Sequence, residues 1–201
     1  MKANQAAFEA GQLAERMAHG YCAHSAAIIV ARQPEAETLA PATLPGMTVP
    51  LGFVQRKDGT EHAFAFRDFL RLASTSPEIT GELPRVWLAG SLLAVGDALS
   101  RNDYFDGAPE LELVRHLRNG IAHGNRFDIR DPDRLKKFPA HNRDAWVKSD
   151  KKTIFEITPA LHRQRVLFDF LGPGDVLDIL LSVGIYLIRM GNGDPLRPPP
   201  A

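Results

Sequence analysis

Residues 109–124 read Pro109-Glu110-Leu111-Glu112-Leu113-Val114-Arg115-His116-Leu117-Arg118-Asn119-Gly120-Ile121-Ala122-His123-Gly124, and they decide the fold class. At about 100° per residue, Leu111, Leu113, Val114, Leu117, Ile121 and Ala122 fall on one continuous arc of a helix. Glu112, Arg115, His116, Asn119 and His123 fall on the opposite arc. Pro109 suits the first turn and Gly124 the position just past the last one. Arg118 alone breaks the separation, projecting inside the apolar arc between Val114 and Leu111. A charge there must snorkel, find a partner, or face a subunit interface that carries a ligand.

Outward from this helix the chain reads as mostly helical. Residues 3 to about 31 suit a helix, broken near Gly20, with Phe8, Leu13 and Met17 at helical spacing. A proline-rich loop over 32–60 follows, carrying Pro34, Pro41, Pro45 and Pro50, with a turn at Asp58-Gly59. Residues 62–74 suit a helix, and Pro84 opens another that runs to about Arg101. After Gly124 the period changes. Trp146-Val147-Lys148 and Thr153–Ile157 read as a hairpin, with Arg165–Phe170 as a third strand. Gly172-Pro173-Gly174 stops that segment, and Asp175 caps a last helix over Val176–Met190. The fold class is therefore mainly α. The expectation is one domain over 1–190, a bundle of four to five helices with an antiparallel β insertion at about 145–170, before the last helix. A disordered tail over 191–201 completes it.

The chain has 201 residues, enough to bury a core without staples. Its 24 Lys and Arg balance 24 Asp and Glu, which argues against coating nucleic acid by bulk charge. The balance hides an asymmetry. Residues 1–114 hold 9 basic against 14 acidic side chains, whereas residues 115–165 hold 13 against 6 and four of the seven histidines. The middle of the chain can thus present a basic face to an acidic ligand. A single cysteine, Cys22, excludes an internal disulfide and points to a reducing compartment. Met1–Gly11 has no signal-peptide core, and Val176–Met190 is too short for a bilayer span and contains Asp178. These features predict a soluble, cytoplasmic protein.

Asn119 and His123 are neighbours at i and i+4, with Arg115 one turn before on the same stripe. A histidine in the last turn of a helix, with a reference pKa of about 6.5, suits both accepting and returning a proton. Residues Arg118-Asn119-Gly120-Ile121-Ala122-His123 resemble the Arg-x4-His signature of the HEPN superfamily. The resemblance implies a metal-independent endoribonuclease in defence, stress response or a toxin–antitoxin pair, or a relative that only binds RNA or protein. It implies no cofactor. It also implies a homodimer whose two motifs face one cleft, and an antitoxin protein as a further partner. RNA brings its own nucleophile, the 2′-hydroxyl. In that scheme His123 moves a proton, Arg118 stabilises phosphate charge, and Asn119 orients His123 or bonds the phosphate. Arg118 and His123 diverge by about 140° on an ideal helix, which favours a site shared between subunits.

Around the motif, Arg115, His116, Arg126, Lys136, Lys137, Lys151 and Lys152 are the expected RNA-backbone contacts. No metal site is expected. His19-x2-Cys22-x-His24 lacks a second ligand pair, His116 and His123 lack carboxylates to complete a site, and Cys22 has no neighbouring base. A reading from a different class makes the chain a helical dimerisation protein without a nucleic-acid role, in which Arg118 forms an interfacial ion pair.

Overall fold

The computed structural model describes residues 4–147 and 153–196. Among them are six α-helices and one two-stranded antiparallel sheet, so the chain is mainly helical as expected. None of these helices is long and apolar enough to cross a membrane. The described residues form two compact units. One combines those up to Tyr21 with those from Val86 onward; the other is Cys22–Arg85.

The first unit holds the core. Gln5–Ala31 (α1) is one continuous helix that starts here, and the expected break at Gly20 is absent. The Trp87 ring lies where a Cβ on Gly20 would intrude, and its Nε1 donates to the Met17 carbonyl at 3.0 Å. Gly20 therefore serves packing. Ala7, Ala10, Ala14 and Ala18 of α1 are all buried. They pack into one cluster with Leu88, Leu92, Val95 and Leu99 from the later part of Pro77–Ser100 (α3). Pro109–Ala122 (α4) and Pro173–Asn192 (α6) complete it through Leu111, Leu113, Val114, Leu117, Val176, Leu180, Val183 and Leu187. A short helix, Pro132–Lys137 (α5), carries no buried residue; the Asp131 carboxylate caps it by accepting from the N–H groups of Asp133 and Arg134.

The second unit takes in the end of α1, a 3-10 turn over Pro34–Leu39, and the start of α3. Between them lie the strands Leu51–Gln55 (β1) and Glu61–Ala65 (β2), then Phe66–Thr75 (α2). The register pairs Leu51 with Ala65 and Gln55 with Glu61.

Four local expectations need correction. The helix expected over 62–74 begins only at Phe66, because the Asp58-Gly59 turn closes a hairpin that draws residues 61–65 into a strand. Arg56 N–H donates to the Thr60 carbonyl at 2.7 Å, and Gly59 adopts φ +84°. The sheet thus lies partly in the loop read as irregular. Helix α3 starts at Pro77 rather than at Pro84, which sits inside it. An internal proline forfeits one backbone bond, and the buried row from Leu88 to Leu99 anchors the rest of the helix.

The β insertion before the last helix is not formed as read. Among the described residues of 145–170 there are only isolated bridges, Arg126 to Arg165, His141 to Glu156 and Leu167 to Leu171, and no extended strand. Residues 155–157 pair with 140–142 instead of with Trp146. Trp146 is held elsewhere: its N–H donates to Ser182 Oγ of α6 at 2.7 Å, and its ring carries the Arg189 guanidinium. The turn placed at 149–152 lies outside the described residues. Finally, α6 runs through Asn192 and stops at Gly193, at φ +77°, and the Pro195 and Leu196 carbonyls accept from Arg189 Nε and Trp146 Nε1, so 191–196 are not the disordered tail expected there; 197–201 lie outside the described residues. The Asp175 carboxylate does serve the helix start, accepting from the Gly172 N–H at 2.8 Å.

Candidate functional site

The odd position of the sequence, Arg118, occupies a built slot. Its stem crosses α3 at Gly96, where an added Cβ would lie 2.5 Å from Arg118 Cγ. Lacking that atom, α3 lets the guanidinium reach Asp97. Nε and Nη2 both donate to Asp97 Oδ1, at 2.9 and 2.6 Å, and Nη1 donates to Asn119 Oδ1 at 3.1 Å. The charge inside the apolar arc therefore has a partner within its own chain. Of the three outcomes open to a charge in that arc, the described residues show a partner. With side chains 32% and 49% exposed, the pair is screened by water and contributes at most about 1 kcal/mol. Three of the five guanidinium N–H groups are engaged, which leaves two for a further acceptor.

Helix α4 ends as its sequence predicts. Gly124 adopts φ +82°, and His123 is the exposed C-cap, its N–H donating to the Asn119 carbonyl at 3.1 Å. The chain then folds back onto the helix end. Arg126 N–H donates to the Gly120 carbonyl at 2.9 Å. A Cβ on Gly120 would sit 2.5 Å from Val166 Cγ2 and 3.2 Å from the Arg126 carbonyl, so this glycine permits the close approach.

A short ribbon follows. Phe127 donates to the Gln164 carbonyl and Arg163 to that of Phe127, each at 2.9 Å; Val166 donates to the Asn125 carbonyl at 3.1 Å. The Asn125 side chain clamps the Leu167 backbone from both sides, at 2.8 and 3.2 Å. Arg126 and Arg165 consequently stand directly opposite one another across this ribbon, both exposed, three residues beyond His123. Like charges facing across strands destabilise each other unless an anion lies between or beside them. Arg163 is also exposed there, and its carbonyl accepts from Arg126 Nη1 at 2.8 Å.

The remaining expected contacts are distributed otherwise. Arg115 bonds both oxygens of the buried Glu112 at 3.2 and 3.3 Å and lies 4.9 Å from the centre of the Tyr104 ring. Its charge balances a buried carboxylate. His116 is half-buried, and burial, with help from Arg115 and Arg134, pushes its pKa down to about 4. It is neutral at pH 7 and supplies no charge to a phosphate. Lys136 pairs with Asp133 at 2.7 Å, and Lys137 lies 5.3 Å from the Phe138 ring; both are exposed on or beside α5. Lys151 and Lys152 lie outside the described residues.

The structure thus brings together Arg118 with Asn119, and places Arg126 near His123. It adds Asp97, Gly96, Arg163 and Arg165, which local pattern did not single out. The basic tally of 115–165 included both arginines but contained no signal for their pairing with Arg126. Helix α1 runs unbroken through His19, Cys22 and His24, with Cys22 exposed. Among the described residues, no group of three or more His, Cys, Asp or Glu side chains is placed to hold a metal ion. Compared with models of protein families, with curated proteins and with solved structures, the chain matches none.

Proposed function

We propose that the end of α4 is an RNA-binding surface and that His123 there acts in metal-independent cleavage of the strand. The observation that carries this reading is the exposed Arg126–Arg165 opposition beside the exposed His123. Two arginines paired across a ribbon gain from an anion that bonds both, and a phosphodiester supplies one. A phosphate seated there comes within the neighbourhood of the His123 imidazole, whose two ring nitrogens can donate and accept a proton.

In the reaction the RNA 2′-oxygen attacks phosphorus while the bond from phosphorus to the 5′-oxygen breaks. His123 takes the 2′ proton, and water supplies the proton that the departing 5′-oxygen needs. The products are a 2′,3′-cyclic phosphate and a 5′-hydroxyl. The two unengaged N–H groups of Arg118 suit the non-bridging oxygens, and Asn119 holds that guanidinium in place. The resemblance to the HEPN superfamily supports this assignment and, with it, a role in defence, stress response or toxin–antitoxin pairing. A second copy would bring a second His123 to serve as the acid.

The test is incubation of purified protein with single-stranded RNA in EDTA. Cleavage with 2′,3′-cyclic ends is expected, and His123→Ala should lower the rate by on the order of 10²–10⁴. Cleavage that requires magnesium and leaves 5′-phosphates overturns the mechanism. The Arg118–Asp97 pair favours a second reading, RNA binding without cleavage, because the phosphate-stabilising group is already engaged. Binding that weakens in Arg126→Glu/Arg165→Glu, with no cleavage by the wild type, selects it.

A further inference from the structure

The hairpin of the Cys22–Arg85 unit has an open side. Among the described residues no third strand pairs with β1 or β2. An isolated two-stranded hairpin is marginal in water. Natural edge strands are usually protected by charges or proline. Strand β1, Leu51-Gly52-Phe53-Val54-Gln55, has neither, whereas β2 carries Glu61 and His62.

The direction of the open groups follows from the ladder. Arg56 N–H donates to the Thr60 carbonyl at 2.7 Å, and Phe66 N–H donates to the Pro50 carbonyl at 3.0 Å. In an antiparallel pair alternate residues bond inward, so Gly52 and Val54 turn their backbone groups to β2. Leu51, Phe53 and Gln55 turn theirs to the open edge. The surrounding surface is apolar. Phe53 is 45% exposed, Val54 57% and Phe69 54%, and Met47 and Val49 lead into the strand with about half of their surface exposed.

We propose that β1 pairs antiparallel with β1 of a second copy of this chain about a two-fold axis at Phe53, making a four-stranded sheet in the order β2-β1-β1-β2. Phe53 of each copy then exchanges both backbone bonds with the other, and Leu51 bonds opposite Gln55. Charge selects this arrangement. Antiparallel pairing sets Arg56 and Lys57 of one copy against Pro50 and Val49 of the other, whereas a parallel pair stacks like charges. The two-fold also makes one patch serve both partners. The exposed apolar side chains beside the strand, Met47, Val49, Phe53 and Val54, add to the contact beyond the two β1 backbones. This contact is separate from a pairing of the two Arg118–His123 motifs and does not depend on RNA.

The full chain should sediment as a dimer in the micromolar range. Gln55→Pro, which removes only an outward N–H at an edge that tolerates proline, should weaken dimerisation at least tenfold. Phe53→Lys, which puts two ammoniums on the axis, should do the same. Far-UV circular dichroism should match the wild type for both. Amide exchange of the wild type gives a readout without mutation: the N–H groups of Leu51, Phe53 and Gln55 should exchange more slowly as protein concentration rises. A wild type that stays monomeric throughout this range overturns the proposal, as does a dimer whose edge amides exchange at a rate independent of concentration. In the first case the edge is open to an extended segment of another protein; in the second the copies meet elsewhere.

Discussion

Residues 22–85 and the helices outside them handle apolar surface in opposite ways. In α4, seven of fourteen residues are buried, and the apolar arc meets α3 and α6 in one cluster. In the Cys22–Arg85 unit only Ala36, Pro50 and Thr80 are buried. Helix α2 there has an apolar face made of Phe66, Phe69, Leu70 and Ala73, yet none of its residues is buried. Twelve of the sixteen exposed large apolar side chains among the described residues belong to this smaller unit. An amphipathic helix owes most of its stability to what it packs against. Stability therefore concentrates in the α1–α3–α4–α6 cluster, and the smaller unit leaves most of its apolar side chains exposed.

Removing packing from the dense region should have the largest effect. Leu117 is wholly buried in α4, so Leu117→Ala should cost about 2–5 kcal/mol in urea unfolding. Trp87 and Trp146, both outside Cys22–Arg85, make fluorescence a reporter of this region. A loss below about 1 kcal/mol would mean the cluster relaxes around the missing side chain.

Titration gives the next effect. His116 has its folded pKa held at about 4, below the ordinary value of 6.5. Between these values the unfolded chain takes up a proton that the folded chain refuses. The stabilisation from a neutral His116 is complete above pH 6.5 and is lost as pH falls toward 4, by at most roughly 3 kcal/mol. Unfolding free energies measured across that range should fall toward acid, and His116→Gln should flatten the slope. An unchanged slope in the variant would assign the acid sensitivity to other groups.

The smallest effect belongs to the open unit. Phe69 is 54% exposed and meets Phe64 edge-on with ring centres 5.4 Å apart, so Phe69→Ala should cost less than about 1 kcal/mol in urea unfolding followed by far-UV circular dichroism. A loss comparable to that of Leu117→Ala would show that this face is packed in solution, and would erase the contrast between the regions.

Some elements were legible because their signals are local. Pro109, the apolar arc and Gly124 delimit α4, and each acts within a turn or two of the backbone. Asp58-Gly59 announced a turn, but the strands it joins were hidden by the prolines upstream and by the helical look of Phe66, Phe69 and Leu70. The hairpin expected around 149–152 had suitable alternation, yet Trp146 bonds to Ser182, 36 residues away. No window of local pattern contains that competitor. Helix α3 runs through Pro84 for a related reason: local propensity marks a boundary there, and packing further along the same helix outweighs it.

The sequence by itself determined the α4 helix, the Arg118-Asn119-x3-His123 motif at its end, and the concentration of basic residues after position 114. It determined also that Arg118 needed a partner, since charge inside an apolar arc is costly on any fold. Which partner it took was decided by the tertiary structure. Asp97 lies 21 residues earlier, on a helix whose Gly96 leaves the slot for the Arg118 stem, and Arg165 comes to face Arg126 only because Gly120 lets the returning chain touch the end of α4. These meetings depend on where two helices and a ribbon cross, and crossing points follow from the packing of whole surfaces, which no periodicity along one stretch of chain contains.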